Sequence, residues 1–283
     1  MDRFLVSVDW LLENIAHSDV KVIDGSWNMP GSESAFDAYS HSHIPGARFF
    51  DIDTITDKGT CLPHMAPDLK TFEEKVGQLG INETDRVVIY DQKGLFSAAR
   101  VWWTFRLFGH SQVAILNGGF PAWLSANCKL SSESTNSPDS KYNGRFNGQL
   151  VASAKQVLAT ISDDRFTIVD ARPAGRFEGH ASEPRPNLRS GAIPSSLNIP
   201  HTQLLSNGCL KTREELAEIW NDAGLAKNSE IITSCGSGIT ASVLFFALSY
   251  SGWTKVKVYD GSWAEWGNQD NNLSQFPVTG YEV

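Results

Sequence analysis

The 283-residue chain is 41% hydrophobic and 20% charged, which is enough apolar material for two ordinary cores and too little charge for a disordered chain. With 24 Lys and Arg against 32 Asp and Glu, its formal charge of −8 weighs against a nucleic acid or an anionic membrane surface as partner. The four cysteines, Cys61, Cys128, Cys209 and Cys235, form no Cys-x-x-Cys pair and suit neither a zinc site nor a disulfide framework.

Residues 1–10 lack a basic stretch followed by an apolar one, and no run reaches the roughly 18 apolar residues that span a bilayer. A soluble protein of the reducing cytoplasm is the expectation. A helix is expected over Val8–Asn14, followed by a buried strand pattern ending in Val22-Ile23-Asp24. His43-Ile44-Pro45-Gly46-Ala47 reads as a turn, Val87-Val88-Ile89-Tyr90-Asp91 as a second buried strand, and residues 98–108 as a buried helix. Leu116-Asn117-Gly118-Gly119-Phe120-Pro121-Ala122-Trp123 closes this set of signals. Residues 131–140 are polar and aperiodic, as expected of a linker. The expected divisions are a non-catalytic domain over 1–128, a linker over 129–147 and a catalytic domain over 148–283.

Beyond the linker the same signals return in the same order. Ile168-Val169-Asp170-Ala171-Arg172 answers the strand at Asp24, and Ala192-Ile193-Pro194-Ser195-Ser196 answers the turn at Pro45. Ile231-Ile232-Thr233-Ser234-Cys235 answers the strand at Asp91, and Tyr259-Asp260-Gly261-Ser262-Trp263 answers Leu116 onward. Four matches at nearly constant spacing argue for duplication of one domain. Thr212 with Glu215 three positions later predicts a capping box at a helix start. Strands alternating with helices imply two α/β domains, each a mainly parallel sheet flanked by helices, with ligands at the carboxyl ends of the strands.

Cys235 falls at such an end. A β-branched run stops there, Gly236 and Gly238 free the following turn, and an apolar helical pattern begins near Thr240. Glycine lets successive N–H groups converge, and a helix start adds positive potential, so the loop predicts a cup for a thiolate or for an anion above it. In the first half Asp91 holds the corresponding place, and aspartate cannot carry a transferable sulfur.

These features resemble the tandem-domain rhodanese family and, within it, the mercaptopyruvate sulfurtransferases. The resemblance covers nearly the whole chain and is sharpest at Cys235-Gly236-Ser237-Gly238-Ile239-Thr240. Thiosulfate-preferring relatives carry basic residues just after the cysteine, whereas Gly236 and Ser237 stand here. The segment from Asp170 to Phe177 with Glu183-Pro184-Arg185-Pro186 is similar to the one that carries two substrate arginines, which would be Arg176 and Arg185. The resemblance implies Cys235 as nucleophile, with the backbone of Gly236, Gly238, Ile239 and Thr240 lining the substrate. It also implies a proton relay of Ser237, His64 and Asp53. The implied donor is 3-mercaptopyruvate, the acceptor a thiol such as a thioredoxin-like dithiol or else cyanide, and no metal or organic cofactor is required. Two departures, Ala192 where the family has His and Ser195 where it has Gly, lie away from the inferred chemistry.

Blander readings stand beside these. Cys61, Cys128 and Cys209 read as buried fillers, and Arg172 as the partner of a neighbouring carboxylate. Arg176 and Arg185 have the alternative of pairing with Glu178 and Glu183. Ser237 could serve only its turn, His64 only the surface, and Asp51 competes with Asp53. A cysteine phosphatase needs an arginine six residues beyond its nucleophile, and Ala241 stands there. Thiosulfate sulfurtransferase and a non-catalytic sulfur carrier remain the alternatives.

Overall fold

Short β-branched runs set apart by turn residues build two separate five-stranded sheets in a computed structural model that describes residues 4–29, 31–135 and 138–280. Met1, Asp2 and Arg3 of the N-terminal segment, and Asn136 and Ser137 of the expected linker, lie outside the described residues.

The first sheet holds β1 (Leu5–Val6), β2 (Val20–Asp24), β3 (Arg48–Phe49), β4 (Arg86–Tyr90) and β5 (Val113–Leu116). Their order is β1-β5-β4-β2-β3, and every pairing is parallel. Around it run α1 (Val8–Asn14), α2 (Ala35–His41), α3 (Leu69–Gln78), α4 (Ala98–Leu107) and α5 (Gly119–Ser125). Alternate strand residues face opposite sides. Val20, Val22, Val88, Tyr90, Ala114 and Leu116 accordingly share one buried cluster with Leu11 of α1, Tyr39 of α2 and Trp123 of α5. The helix expected over 98–108 is α4, buried along almost its whole length.

The second sheet repeats the plan with β6 (Val151–Ala152), β7 (Phe166–Asp170), β8 (Leu197–Asn198), β11 (Glu230–Ser234) and β12 (Val256–Tyr259). The order β6-β12-β11-β7-β8, again all parallel, maps strand for strand onto the first. Between β8 and β11 lies a two-stranded ribbon of β9 (Leu205–Ser206) and β10 (Cys209–Leu210). The helices are α6 (Ala154–Thr160), α7 (Ala174–Phe177), α8 (Arg213–Asp222), α9 (Ile239–Tyr250) and α10 (Ser262–Trp266). The capping box at α8 is formed, with Glu215 N–H donating to Thr212 Oγ1 at 3.2 Å and Thr212 N–H donating to Glu215 Oε2 at 2.8 Å. Helix α9 is apolar on every side and buried from Ile239 to Leu248 but for Thr240, as a central helix must be.

By contact, the first unit comprises residues 1–58, 66–147 and 206–210, and the second 59–65, 148–205 and 211–283. The short segment carrying Cys61 and His64 thus packs with the sequence-distant second unit. The polar stretch expected as a linker is tied down within the first: Ser131 exchanges two backbone hydrogen bonds with His43, and Tyr142 sets its hydroxyl 3.0 Å from His110 Nδ1. The cysteines other than Cys235 are not buried fillers. Cys61 is exposed, while Cys128 and Cys209 are half-buried, because each sits in a connection or a short edge ribbon rather than in a sheet. No helix among the described residues is long and apolar enough to cross a membrane.

Candidate active site

The central strand β11 ends at Ser234, and Cys235 follows at the carboxyl edge of the second sheet, only 2% exposed. Its carbonyl accepts the Trp263 N–H at 2.9 Å and the Gly236 carbonyl accepts the Ala264 N–H at 2.9 Å, both from α10. Gly238, at φ 83, makes the left-handed turn into α9, a conformation that costs glycine nothing. The first N–H groups of α9, at Ile239 and Thr240, have no acceptor within the helix. Ser262 holds the loop from behind: its Oγ accepts the Cys235 N–H at 3.1 Å and donates to the Tyr259 carbonyl at 2.8 Å.

Two guanidiniums stand over this loop. A Cβ placed on Gly236 would lie 3.1 Å from Arg176 Nη2, a tight approach, and 3.8 Å from Arg185 Nη1, an ordinary contact, so the missing side chain leaves room chiefly for Arg176. Arg176, on the short helix α7, gives Nε (3.1 Å) and Nη2 to Glu183 Oε2. The pairing foreseen as the blander reading is therefore present, and it coexists with the seat over Gly236. Glu183 Oε1 in turn accepts Arg172 Nη1 at 2.8 Å. Arg172 also grips Asp170 at 2.9 Å and lies 4.2 Å over the Trp263 ring. Burial alone would depress the Arg172 pKa, but Asp170 and Glu183 outweigh it and hold it above its ordinary value.

Arg185 Nη2 reaches two of the expected relay residues, His64 Nε2 at 3.0 Å and Ser237 Oγ at 3.3 Å. A guanidinium only donates, so Nε2 is the acceptor nitrogen of His64 in this contact. Both relay residues are buried, and His64 adopts φ 61. The arginine thus stands as a common donor to the two groups expected to pass a proton. Asp53 belongs to the first unit, where its Oδ2 takes the Trp27 indole N–H at 3.1 Å. Its competitor Asp51 spends Oδ1 on the N–H groups of Asp53 and Thr54.

Sequence reasoning passed over Ser262 altogether, and it took Arg172 and Glu183 only as ion-pair partners, as they are, without seeing that Glu183 bridges Arg172 and Arg176. The Asp170-Ala171-Arg172 sequence after a buried strand hinted at the ion pair of Arg172, and nothing local marked Ser262 as a prop for Cys235. Chemically, the second unit offers a buried cysteine at a strand end, two guanidiniums over the next residue, and a histidine and a serine bonded to one of them. Among the described residues there is no group of three or more His, Cys, Asp or Glu that could hold a metal ion.

The model of the rhodanese-like domain matches this chain twice, over residues 7–126 and 153–269. The 3-mercaptopyruvate sulfurtransferase of Escherichia coli K12 is 41% identical over 266 residues, covering 93% of this chain and 95% of that protein. The thiosulfate/3-mercaptopyruvate sulfurtransferase 1 of Arabidopsis thaliana, named as mitochondrial, is 40% identical over 94% of this chain and 76% of its own. Among solved structures, that of SseA from Escherichia coli, described as having the rhodanese fold, aligns with a TM-score of 0.85 at 39% identity. It covers 92% of this chain and 98% of its own.

Proposed function

The chain belongs to the rhodanese family, with one rhodanese-like domain in each half, and from that membership we propose that it is a sulfurtransferase using 3-mercaptopyruvate. Sulfur passes through a persulfide on Cys235 to a thiol or cyanide acceptor. The observation that carries this reading is the seat of Arg176 and Arg185 over Gly236, next to a buried cysteine. A short α-keto acid presents a carboxylate and a keto oxygen to such a pair, and a guanidinium fork meets a carboxylate in a geometry that lysine cannot reproduce.

In the proposed reaction the Cys235 thiolate attacks the donor's thiol sulfur. The S–S bond forms as the carbon–sulfur bond breaks, and the electron pair leaves as the enolate of pyruvate. The proton of the donor thiol ends on the enolate carbon, giving pyruvate and leaving the persulfide anionic. Ser237 and His64, both bridged by Arg185, are proposed as its route. Charge grows on the keto oxygen during the step, which is where fixed cations lower the barrier. The outer sulfur then waits against the N–H groups of Gly236, Gly238, Ile239 and Thr240 until an acceptor thiolate removes it. The proposed compartment is the cytoplasm, whose reducing poise keeps thiol acceptors, thioredoxin-like dithiols among them, available. No step is assigned to Asp53.

Thiosulfate as a second donor is favoured by the Arabidopsis relative named for both substrates. Pyruvate release from mercaptopyruvate, measured against sulfite release from thiosulfate, separates the two for wild type and Cys235→Ser. The expected result is dominance of pyruvate release and loss of both activities in the variant. Equal use of thiosulfate would move the assignment to that donor, and activity surviving in Cys235→Ser would remove the persulfide.

A further inference from the structure

Glu183 is connected to the nucleophile by a closed circuit of contacts within the second unit. Its carboxylate, 2% exposed, takes Arg176 on one oxygen and Arg172 on the other. Arg172 rests on the Trp263 ring, the Trp263 N–H donates to the Cys235 carbonyl, and Arg176 returns to stand over Gly236. Each link fixes the next. Glu183 holds the Nε and Nη2 edge of Arg176, and that same Nη2 is the atom that stands over Gly236, so the carboxylate fixes where the guanidinium meets the Cys235 loop.

The same carboxylate sets the charge there. Arg172 and Arg176 face Asp170 and Glu183, two positive charges against two negative in one contiguous network. Three of these four side chains are at most 2% exposed, so water screens their interactions weakly. A donor reaching Arg176 therefore meets a fork whose charge is already balanced. Such a fork gives directed hydrogen bonds to one carboxylate. It gives little extra attraction to a small dianion, whose second charge must be met by net positive potential.

We infer that Glu183 is a positioning residue that both aims Arg176 and selects a singly charged carboxylate donor over a dianionic one. The inference rests on the sulfurtransferase reading above and names what makes that site discriminate. It assigns to Glu183 a part of the donor choice that would otherwise fall wholly to the residues just after Cys235.

The test compares kcat and KM for 3-mercaptopyruvate and for thiosulfate in wild type, Glu183→Gln and Glu183→Asp, with folding checked by circular dichroism. Glu183→Gln leaves the network with an uncompensated positive charge. The ratio of kcat/KM for thiosulfate to that for mercaptopyruvate should then rise about tenfold, a shift typical of one nearby charge. Glu183→Asp keeps the charge but withdraws it by one methylene, so it should raise KM for mercaptopyruvate more than it lowers kcat and shift the ratio by less than Glu183→Gln does. A folded Glu183→Gln enzyme with an unchanged ratio overturns the selection. A Glu183→Asp enzyme with an unchanged KM overturns the positioning, and it decides the matter alone if the glutamine variant does not fold. A wild type that prefers thiosulfate would defeat the donor assignment without touching this test, which reads only the change in ratio.

Discussion

The loops after β4 and β11 leave the same central position of their sheets and are held by the same anchor. Phe120 N–H donates to the Asp91 carbonyl at 3.0 Å in the first, and Trp263 N–H donates to the Cys235 carbonyl at 2.9 Å in the second. What fills the two loops differs. In the first, the Asp91 carboxylate accepts four backbone N–H groups: Lys93 at 2.8 Å, Phe96 at 2.7 Å, Ser97 at 2.9 Å and Ala98 at 2.8 Å. The chain thus supplies its own anion to the start of α4. In the second, a cysteine stands at that position, four residues before α9 begins. The supporting residue has changed as well. A Cβ on Gly119 would sit 2.5 Å from the Asp91 carbonyl, whereas its counterpart Ser262, at φ 50, bears a hydroxyl that braces the Cys235 N–H. The duplicated loop holds a carboxylate in the first copy, and the second is expected to be the same cup left open for an anion.

Exchanging the occupants tests this most severely. Cys235→Asp should lower sulfur transfer from mercaptopyruvate by at least ~10³-fold, because a carboxylate has no sulfur to pass on. If the loop is an anion cup, the new carboxylate should also slow amide exchange at Ile239 and Thr240. Exchange there as fast as in Cys235→Ala would mean that those N–H groups do not converge on residue 235.

The converse change is Asp91→Ala. It strips four N–H groups of their acceptor in a site where Asp91 is only 1% exposed. Leaving buried donors unmet should cost the first unit about 3 kcal/mol in urea unfolding. Added formate should restore part of it, as a small anion enters the vacated cup. No loss of stability, or a loss that formate does not touch, would show that the hydrogen bonds are incidental.

The two halves were partly legible as strings of residues. Strand ends at Asp24 and Asp170 follow from β-branched runs cut off by turn residues, the strands expected to run to Asp91 and Cys235 stop one residue earlier at Tyr90 and Ser234, and the Thr212–Glu215 capping box is local chemistry. The arginines could be flagged as substrate ligands only through a resemblance. Neither periodicity nor spacing shows that Arg176 reaches Gly236, because that approach depends on α7 and the Cys235 loop meeting in space. For the same reason Glu183 was seen only as a rival partner for an arginine and not as the bridge between two. The packing of residues 59–65 with the second unit is a matter of long-range contact and left no local trace. Cys61 was misread because burial is the common fate of cysteine, while this one lies in an irregular connection.

A second contrast lies at the strand ends beside the cups. Asp170 has Arg172 two residues on, whereas the equivalent Asp24 has Ser26, whose N–H donates to it at 2.9 Å. Burial pushes the Asp24 carboxyl up from 3.8 to about 6, with the hydrogen bonds of Ser26 opposing. A carboxyl with a raised folded pKa keeps its proton longer in the folded chain than in the unfolded one. Its contribution is therefore fullest below the unfolded value and is lost as the pH climbs through about 6. Asp24→Asn should remove that slope and stabilise the first unit at neutral pH by up to about 2 kcal/mol. Urea unfolding on either side of the window measures it, and parallel pH curves for the two proteins would deny Asp24 this role.

The smallest expected effect concerns the paired turns His43-Ile44-Pro45-Gly46 and Ala192-Ile193-Pro194-Ser195. Gly46 takes φ 75 and Ser195 takes φ 61, so both turns need the left-handed region, but only the first has the residue that enters it without strain. Both positions are exposed, and a Cβ on Gly46 would meet nothing within 4 Å, so packing does not decide between the residues. The difference reduces to the backbone: about 1 kcal/mol of strain relieved by glycine, partly offset by the greater freedom it gives the unfolded chain. Ser195→Gly should stabilise the second unit by about 0.5 kcal/mol, and Gly46→Ser should destabilise the first by a similar amount. Equal and opposite shifts in urea midpoint, with unchanged slopes, would show that the two turns are energetically interchangeable. Shifts of the same sign would mean that one turn draws on a contact the other lacks, and the His43 ring, 2.7 Å from the Tyr39 carbonyl where the second turn has only Ala192, would be the first place to look.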